Sequence, residues 1–190
     1  MAHLIDSRID ASTLRVDRPL PVPDSLSEMG ARRLSRPSEA LMPDARVWNE
    51  LLGAPALSSH ELAALSAMAR PRFVPQGGAI FSQQEAARSL VFVREGDAAL
   101  GWRTADGQFR IERPVRGPGW LDQSSAWIDA AHAIDARAVS PLVVVELPRE
   151  DVQSLLATQP QLARRLISSL AREVHSLAVS THGLMHKDAP

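Results

Sequence analysis

The polarity pattern changes period twice along this chain. Residues 1–43 keep no steady period: "VDRPLPVPDSLSEMGARRLSRPSEALMPD" mixes prolines, serines and charges. Such a composition buries too little apolar surface to offset the entropy of ordering, so it predicts a flexible arm with at most a short helix in "SLSEMGARRL". "DARVWNELLG" then predicts a helix capped by Asp44 and ended by Gly53, with Val47, Leu51 and Leu52 on one side. "SSHELAALSAMARP" predicts a second, with Ser58 or Ser59 as cap, Glu61 in the first turn, Leu62, Leu65 and Met68 at helical spacing, and Pro71 as the stop. From Arg72 the period becomes that of strands. "RFV" and "AIF" flank a "PQGG" turn, and "SLVFVREG" ends at Gly96. "DAALGWRT" and "FRIERPV" are joined by "ADGQ", with Asp-Gly at its tip. "HAIDARAV" alternates, with Ile134 and Ala136 inward, and "PLVVVELP" is the strongest strand signal of all. Many short strands with regular turns point to a sandwich or jelly roll.

The last third of the pattern is helical again. "REDVQSLLAT" follows Pro148, with Glu150 and Asp151 placed to complement a helix dipole. Pro160 opens "PQLARRLISSLAREVHSLAVSTHGLMH", whose apolar residues are Leu162, Leu166, Ile167, Leu170, Val174, Leu177 and Leu184. That stripe is broader than a two-stranded coiled-coil seam. It predicts two contact surfaces, one on the strand domain and one on a second copy of the helix. Arg164, Arg165 and Arg172 read as the solvated face of this helix.

Composition narrows the chemistry. At 190 residues and 45% hydrophobic, the chain suits one domain with an appendage. It has no run long enough to cross a bilayer, and its N-terminus lacks a basic start before an apolar stretch, so a cytoplasmic, membrane-free protein is expected. Cysteine is absent, which removes disulfides, thiolate metal sites and thiol nucleophiles. A net charge of −1 steers nothing toward nucleic acid. There is no Gly-Lys-Ser/Thr phosphate loop and no Gly-x-Ser-x-Gly, and "SSHEL" reads as a helix cap, so no catalysis is expected. His182 and His186 are four apart, but Gly183 between them marks a helix end. With His175 they read as solvated, and no metal or cofactor is expected. Haem would have to rely on His132 and is not expected either.

The ordered set of short helices, about eight strands, a small helix and a long amphipathic helix, with "FVREGDAAL", "ADGQ", "RGPG" and "ELPREDVQSLLATQPQLARRL", resembles the cyclic nucleotide-binding domain of the cAMP receptor protein/Fnr family. The likeness runs over roughly residues 44–182. It implies a mainly β fold with flanking helices: a jelly roll over residues 44–158, then a dimerisation helix over 159–186. Leu162, Leu166, Leu170, Val174 and Leu177 would form the homodimer interface.

In that family a cassette reads Phe-Gly-Glu, a short helical turn, then Pro-Arg before an alternating strand. The Glu holds the ribose hydroxyl and the Arg neutralises the cyclic phosphate. Here "GPGWLDQSSAWIDAAHAIDARAV" takes its place, and Leu121-Asp122-Gln123 stands for Phe-Gly-Glu and Ala131-His132 for Pro-Arg. Asp122 adds a negative charge, Gln123 accepts hydroxyl bonds more weakly than Glu, and His132 cannot fork onto phosphate as Arg does. Losing a charge-assisted bond costs about 1.5–3 kcal/mol, so two such losses weaken binding by about a hundredfold or more. The expectation is a non-catalytic regulatory homodimer that does not bind cAMP or cGMP in the usual mode. Its cassette is either re-aimed at another ligand, held by Asp122, Gln123, Ser124, Ser125 and His132, or retired. Trp120 and Trp127 either line the pocket or plug it. An alternative is a ligand-free scaffold that docks a partner protein through residues 1–43. The family's helix-turn-helix follows the dimerisation helix, and "GLMHKDAP" leaves no room for it, so direct DNA binding by this chain is not expected.

Overall fold

The computed structural model describes residues 39–185, with side chains over residues 40–177. The expectations for residues 1–38 and for the side chains of His182 and His186 lie outside this range. The last part of the sequence-defined arm is ordered: Glu39–Leu41 form a short 3-10 turn and Pro43 is buried.

Two helices come first, α1 (Ala45–Leu52) and α2 (Ser59–Met68). Asp44 caps α1 by accepting from the Val47 amide at 2.9 Å, and Gly53 ends it at φ +80°. Ser58 and Glu61 cap α2 reciprocally, each side chain bonding the other's backbone N–H. The expectation that Pro71 stops α2 is corrected. The helix ends at Met68, and Pro71 sits inside strand β1 (Arg70–Val74), opposite Val145. Proline is tolerated there because β1 is an edge strand, with β8 as its one neighbour among the described residues.

The strands that follow are β2 (Ala79–Phe81), β3 (Ser89–Glu95), β4 (Asp97–Arg103), β5 (Phe109–Arg116), β6 (Gly119–Leu121), β7 (Asp135–Ala138) and β8 (Leu142–Pro148). Helix α3 (Gln123–Trp127) interrupts them, and α4 (Arg149–Thr158) and α5 (Pro160–Met185) close the described chain. They make two antiparallel four-stranded sheets, ordered β1-β8-β3-β6 and β2-β7-β4-β5. This is the jelly roll. Gly96 turns β3 into β4 at φ +93°; a Cβ there would lie 2.6 Å from Leu142 Cβ, so the position admits only glycine.

The middle strands of the first sheet, β3 and β8, are covered on both faces, which explains their unbroken apolar runs. Val91, Val93, Leu142 and Val144 point between the sheets, toward Phe81, Leu100 and Ala136. Leu90, Phe92, Val145 and Leu147 point the other way, onto Trp48, Leu52, Leu65, Val152, Leu162 and Leu166 of the helices. Successive residues of one strand therefore fill two different cores.

That packing corrects the interface expected on α5. Leu162 and Leu166 are fully buried in the chain's own core and are not free to meet a second copy. Leu170 is half-buried, whereas Ile167, Val174 and Leu177 are exposed. Nor are the helix arginines simply solvated. Arg165 donates to the carbonyls of Gly53 and Pro55, and Arg172 reaches that of Leu51 at 3.4 Å. Carbonyls at a helix end have no partner within the helix, and these cations supply one for α1.

Candidate functional site

After β6, a strand of three residues that pairs with Val91–Val93, the chain bends sharply at Asp122 (φ 43°, ψ 45°) into α3. A short loop then runs to His132, and β7 begins only at Asp135, later than the alternation from His132 suggested. The left-handed backbone at 122 is one that Asp tolerates better than most residues. It turns the Asp122 carboxylate back over the start of α3.

That carboxylate collects four donors from the segment. One oxygen accepts from Ser125 Oγ at 2.9 Å and Ser124 Oγ at 3.2 Å. The other accepts from His132 Nδ1 at 3.0 Å and the Ala133 amide at 3.3 Å. Burial raises the Asp122 pKa, but the hydrogen bonds from His132 and Ser125, the imidazole's charge and the Ala133 amide together outweigh it. They hold the carboxyl below its ordinary value of 3.8. An ionised carboxylate only accepts, so Nδ1 carries the proton in this pair. The His132 ring is only 6% exposed and stacks on Phe81, with centroids 3.7 Å apart and planes 6° from parallel.

Gln123 faces elsewhere. It is fully buried, and its Nε2 donates at 2.6 Å to Glu173 Oε2 on α5. The other Glu173 oxygen accepts from the Arg113 guanidinium of β5 at 3.2 Å. The Glu173 side chain is 14% exposed. Among the described residues, Gln123 Oε1 has no hydrogen-bond partner.

Between the roll and α5 lies a cleft of about 640 Å³, with Leu100, Ile134, Leu170 and Val174 on its apolar side. Among the described residues, its polar side carries Glu112, Asp122 and Glu173 against one cation, Arg113. A wall with that balance repels an anion. Trp120 and Trp127 do not line this cleft. Trp120 packs edge-on against Phe92 at 5.3 Å in the helix-side core, and Trp127 leans on the same cluster.

The structure thus brings Asp122, Ser124, Ser125 and His132 together, and sends Gln123 to a separate group with Arg113 and Glu173. Sequence reasoning missed Phe81, Arg113 and Glu173. Glu173 is one more polar residue on a long helix, and nothing local ties it to a residue 50 positions earlier.

A two-sheet roll with a short helix between β6 and β7 lies beside the long helix α5. Residues 71–159 match the family model described as a cyclic nucleotide-binding domain. The chain is 23% identical over 130 residues to a CRP-like cAMP-activated global transcriptional regulator of Mycobacterium tuberculosis, covering 68% of this chain and 58% of that protein. It superposes on the catabolite activator protein of Thermus thermophilus with a TM-score of 0.57 and 26% identity, covering 68% of this chain and 61% of that one. The N-terminal domain of a transcriptional regulator from Streptomyces coelicolor A3(2) gives a TM-score of 0.58 at 21% identity over 73% of this chain and 95% of that one, a likeness of fold alone. The chain spans less than two thirds of the length of its curated relatives. Over residues 71–159 the chain is thus similar to cyclic nucleotide-binding domains, and the curated relatives it matches are CRP-like regulators of bacteria.

Proposed function

We propose that this chain is a non-catalytic regulatory domain whose cassette does not take cAMP or cGMP in the usual mode, and that it acts as a homodimer through α5. One observation carries the first part. Asp122 places its own carboxylate on the cassette's donors, so His132, Ser125 and the Ala133 amide already hold an anion. An incoming cyclic phosphate would have to displace a carboxylate that cannot leave, and would meet Glu112 and Glu173 beside it. The coulombic repulsion and the lost hydrogen bonds act in the same direction. Support for the dimer comes from α5, where Ile167 and Val174, one heptad apart, are 56% and 53% exposed.

The test is calorimetric titration of the purified chain with cAMP and with cGMP at millimolar nucleotide. No saturable heat is expected. Saturable binding in the micromolar range would establish an active cassette and overturn the reading.

A further inference from the structure

We infer that Gln123 and Arg113 form a carboxylate receptor, and that its resident occupant is Glu173 of the chain's own last helix. The inference rests on the reading that the cassette is satisfied from within, and extends it from Asp122 to α5.

Each oxygen of Glu173 has one donor. The amide Nε2 of Gln123 meets Oε2 at 2.6 Å, and a guanidinium nitrogen of Arg113 meets Oε1 at 3.2 Å. A carboxylate this little exposed persists only with such partners. The receptor's neutral half is buried completely, so it is no chance surface contact.

The identity of residue 123 follows from its partner. A glutamate there accepts hydrogen bonds and so suits a hydroxyl. Facing another carboxylate at this separation it would have nothing to donate, and the two charges would repel. The amide of Gln123 reverses the preference, from a ligand that donates to one that accepts. Its Oε1 makes no bond among the described residues, so Nε2 alone orients the side chain, toward Glu173. Asp122, the adjacent carboxylate, is held by other donors and does not compete. Arg113 belongs to β5 and Gln123 opens α3, so a strand of the roll and its short helix both hold α5 through one side chain. The helix is thereby seated without any small molecule.

The chemical class that fits the receptor when Glu173 is removed is a small carboxylate, and acetate is the probe. Glu173→Ala would be unfolded thermally in sodium acetate and in sodium chloride at equal ionic strength. In parallel, hydrogen exchange would be followed across residues 165–177. Exchange there is expected to accelerate about tenfold or more in the variant, as for loss of a charge-assisted hydrogen bond that anchors the segment. Acetate, and not chloride, should slow it again and raise the melting temperature of Glu173→Ala. It should do neither for the wild type or for the double variant that also carries Gln123→Ala. Should Glu173→Ala fail to fold, Gln123→Glu provides the second arm: it sets two carboxylates face to face and must also loosen α5. Unchanged exchange in either variant, or equal effects of acetate and chloride on Glu173→Ala, would overturn the inference. Saturable cAMP binding by the wild type would overturn the cassette reading instead, and leaves acetate rescue free to stand or fall on its own.

Discussion

Replacing Asp122 with glycine restores the residue that the family resemblance puts at this bend, and the structure predicts that the protein becomes less stable. Two terms oppose each other. Glycine relieves the left-handed backbone at φ 43°, a gain of about 1 kcal/mol. Against it, His132 Nδ1 and Ser125 Oγ, both on buried residues, lose their acceptor. Each buried polar group left unpaired costs about 1–3 kcal/mol. Ser124 and the Ala133 amide are exposed and regain water. The net is a destabilisation of about 1–5 kcal/mol; the middle of that range lowers the melting temperature by about 6–12 °C in a chain of this size. The pH dependence adds a second handle. The native pKa of Asp122 is depressed below 3.8, so its contribution is complete above the unfolded carboxylate's pKa and is lost as pH falls through the native one. The gap between wild type and Asp122→Gly should therefore be widest near neutrality and close in acid. Thermal unfolding followed by circular dichroism across that range measures it. A variant as stable as the wild type at neutral pH, or a gap that does not narrow on acidification, would refute the claim that this carboxylate is the cassette's internal anion.

Three further outcomes are expected. Ile167→Glu with Val174→Glu should convert the chain from dimer to monomer in sedimentation velocity; a wild-type chain that is already monomeric removes the basis for the proposed interface. Gly96→Ala should cost about 2–5 kcal/mol from backbone strain and overpacking, because the added Cβ meets Leu142 Cβ at 2.6 Å and the Pro141 carbonyl at 2.7 Å; urea unfolding with an unchanged midpoint would contradict this. Trp120→Ala should cost about 3–5 kcal/mol and leave the cleft beside α5 unaltered, since the indole packs in the other core; gain of ligand binding without loss of stability would mean that it plugs a pocket.

The roll was legible where pattern and capping agree. The runs of β3 and β8, the Asp44 cap, the Ser58-Ser59 pair of which Ser58 proves to be the cap, and the Asp-Gly turn, where Gly107 adopts φ +81°, all lie in short windows whose chemistry is local. β6 was not legible, because three residues carry no period and only their pairing with Val91–Val93 makes them a strand. Pro71 misled because proline stops a helix and tolerates an edge strand equally well, and the sequence does not say which strand is the edge. On α5 the broad stripe announced two surfaces but not their division: Leu162 and Leu166 face α1 and α4, and Ile167 faces out. Of the site, the departures at residues 122, 123 and 132 were visible, but not what answers them. Asp122 and His132 answer each other across a loop. Among the described residues the Gln123 side chain is answered by Glu173, and that pairing exists once the roll has brought α5 against it.

The double covering of β3 and β8 bears on how the sheet keeps its register. In a sheet with one wet face, a slip of one residue exposes the apolar set and is rejected on polarity. Here a slip exchanges Leu90, Phe92, Val145 and Leu147 for Val91, Val93, Val144 and Leu142, apolar for apolar. What separates the two sets is bulk. Phe92 would enter the space between the sheets, lined by Ala98, Ala136 and Ala138, while valine would leave a void beside Trp48 and Trp120. Register in this roll is guarded by volume rather than by affinity for water, so smaller residues at Phe92 would loosen the fold's choice of pairing before they abolish its compactness.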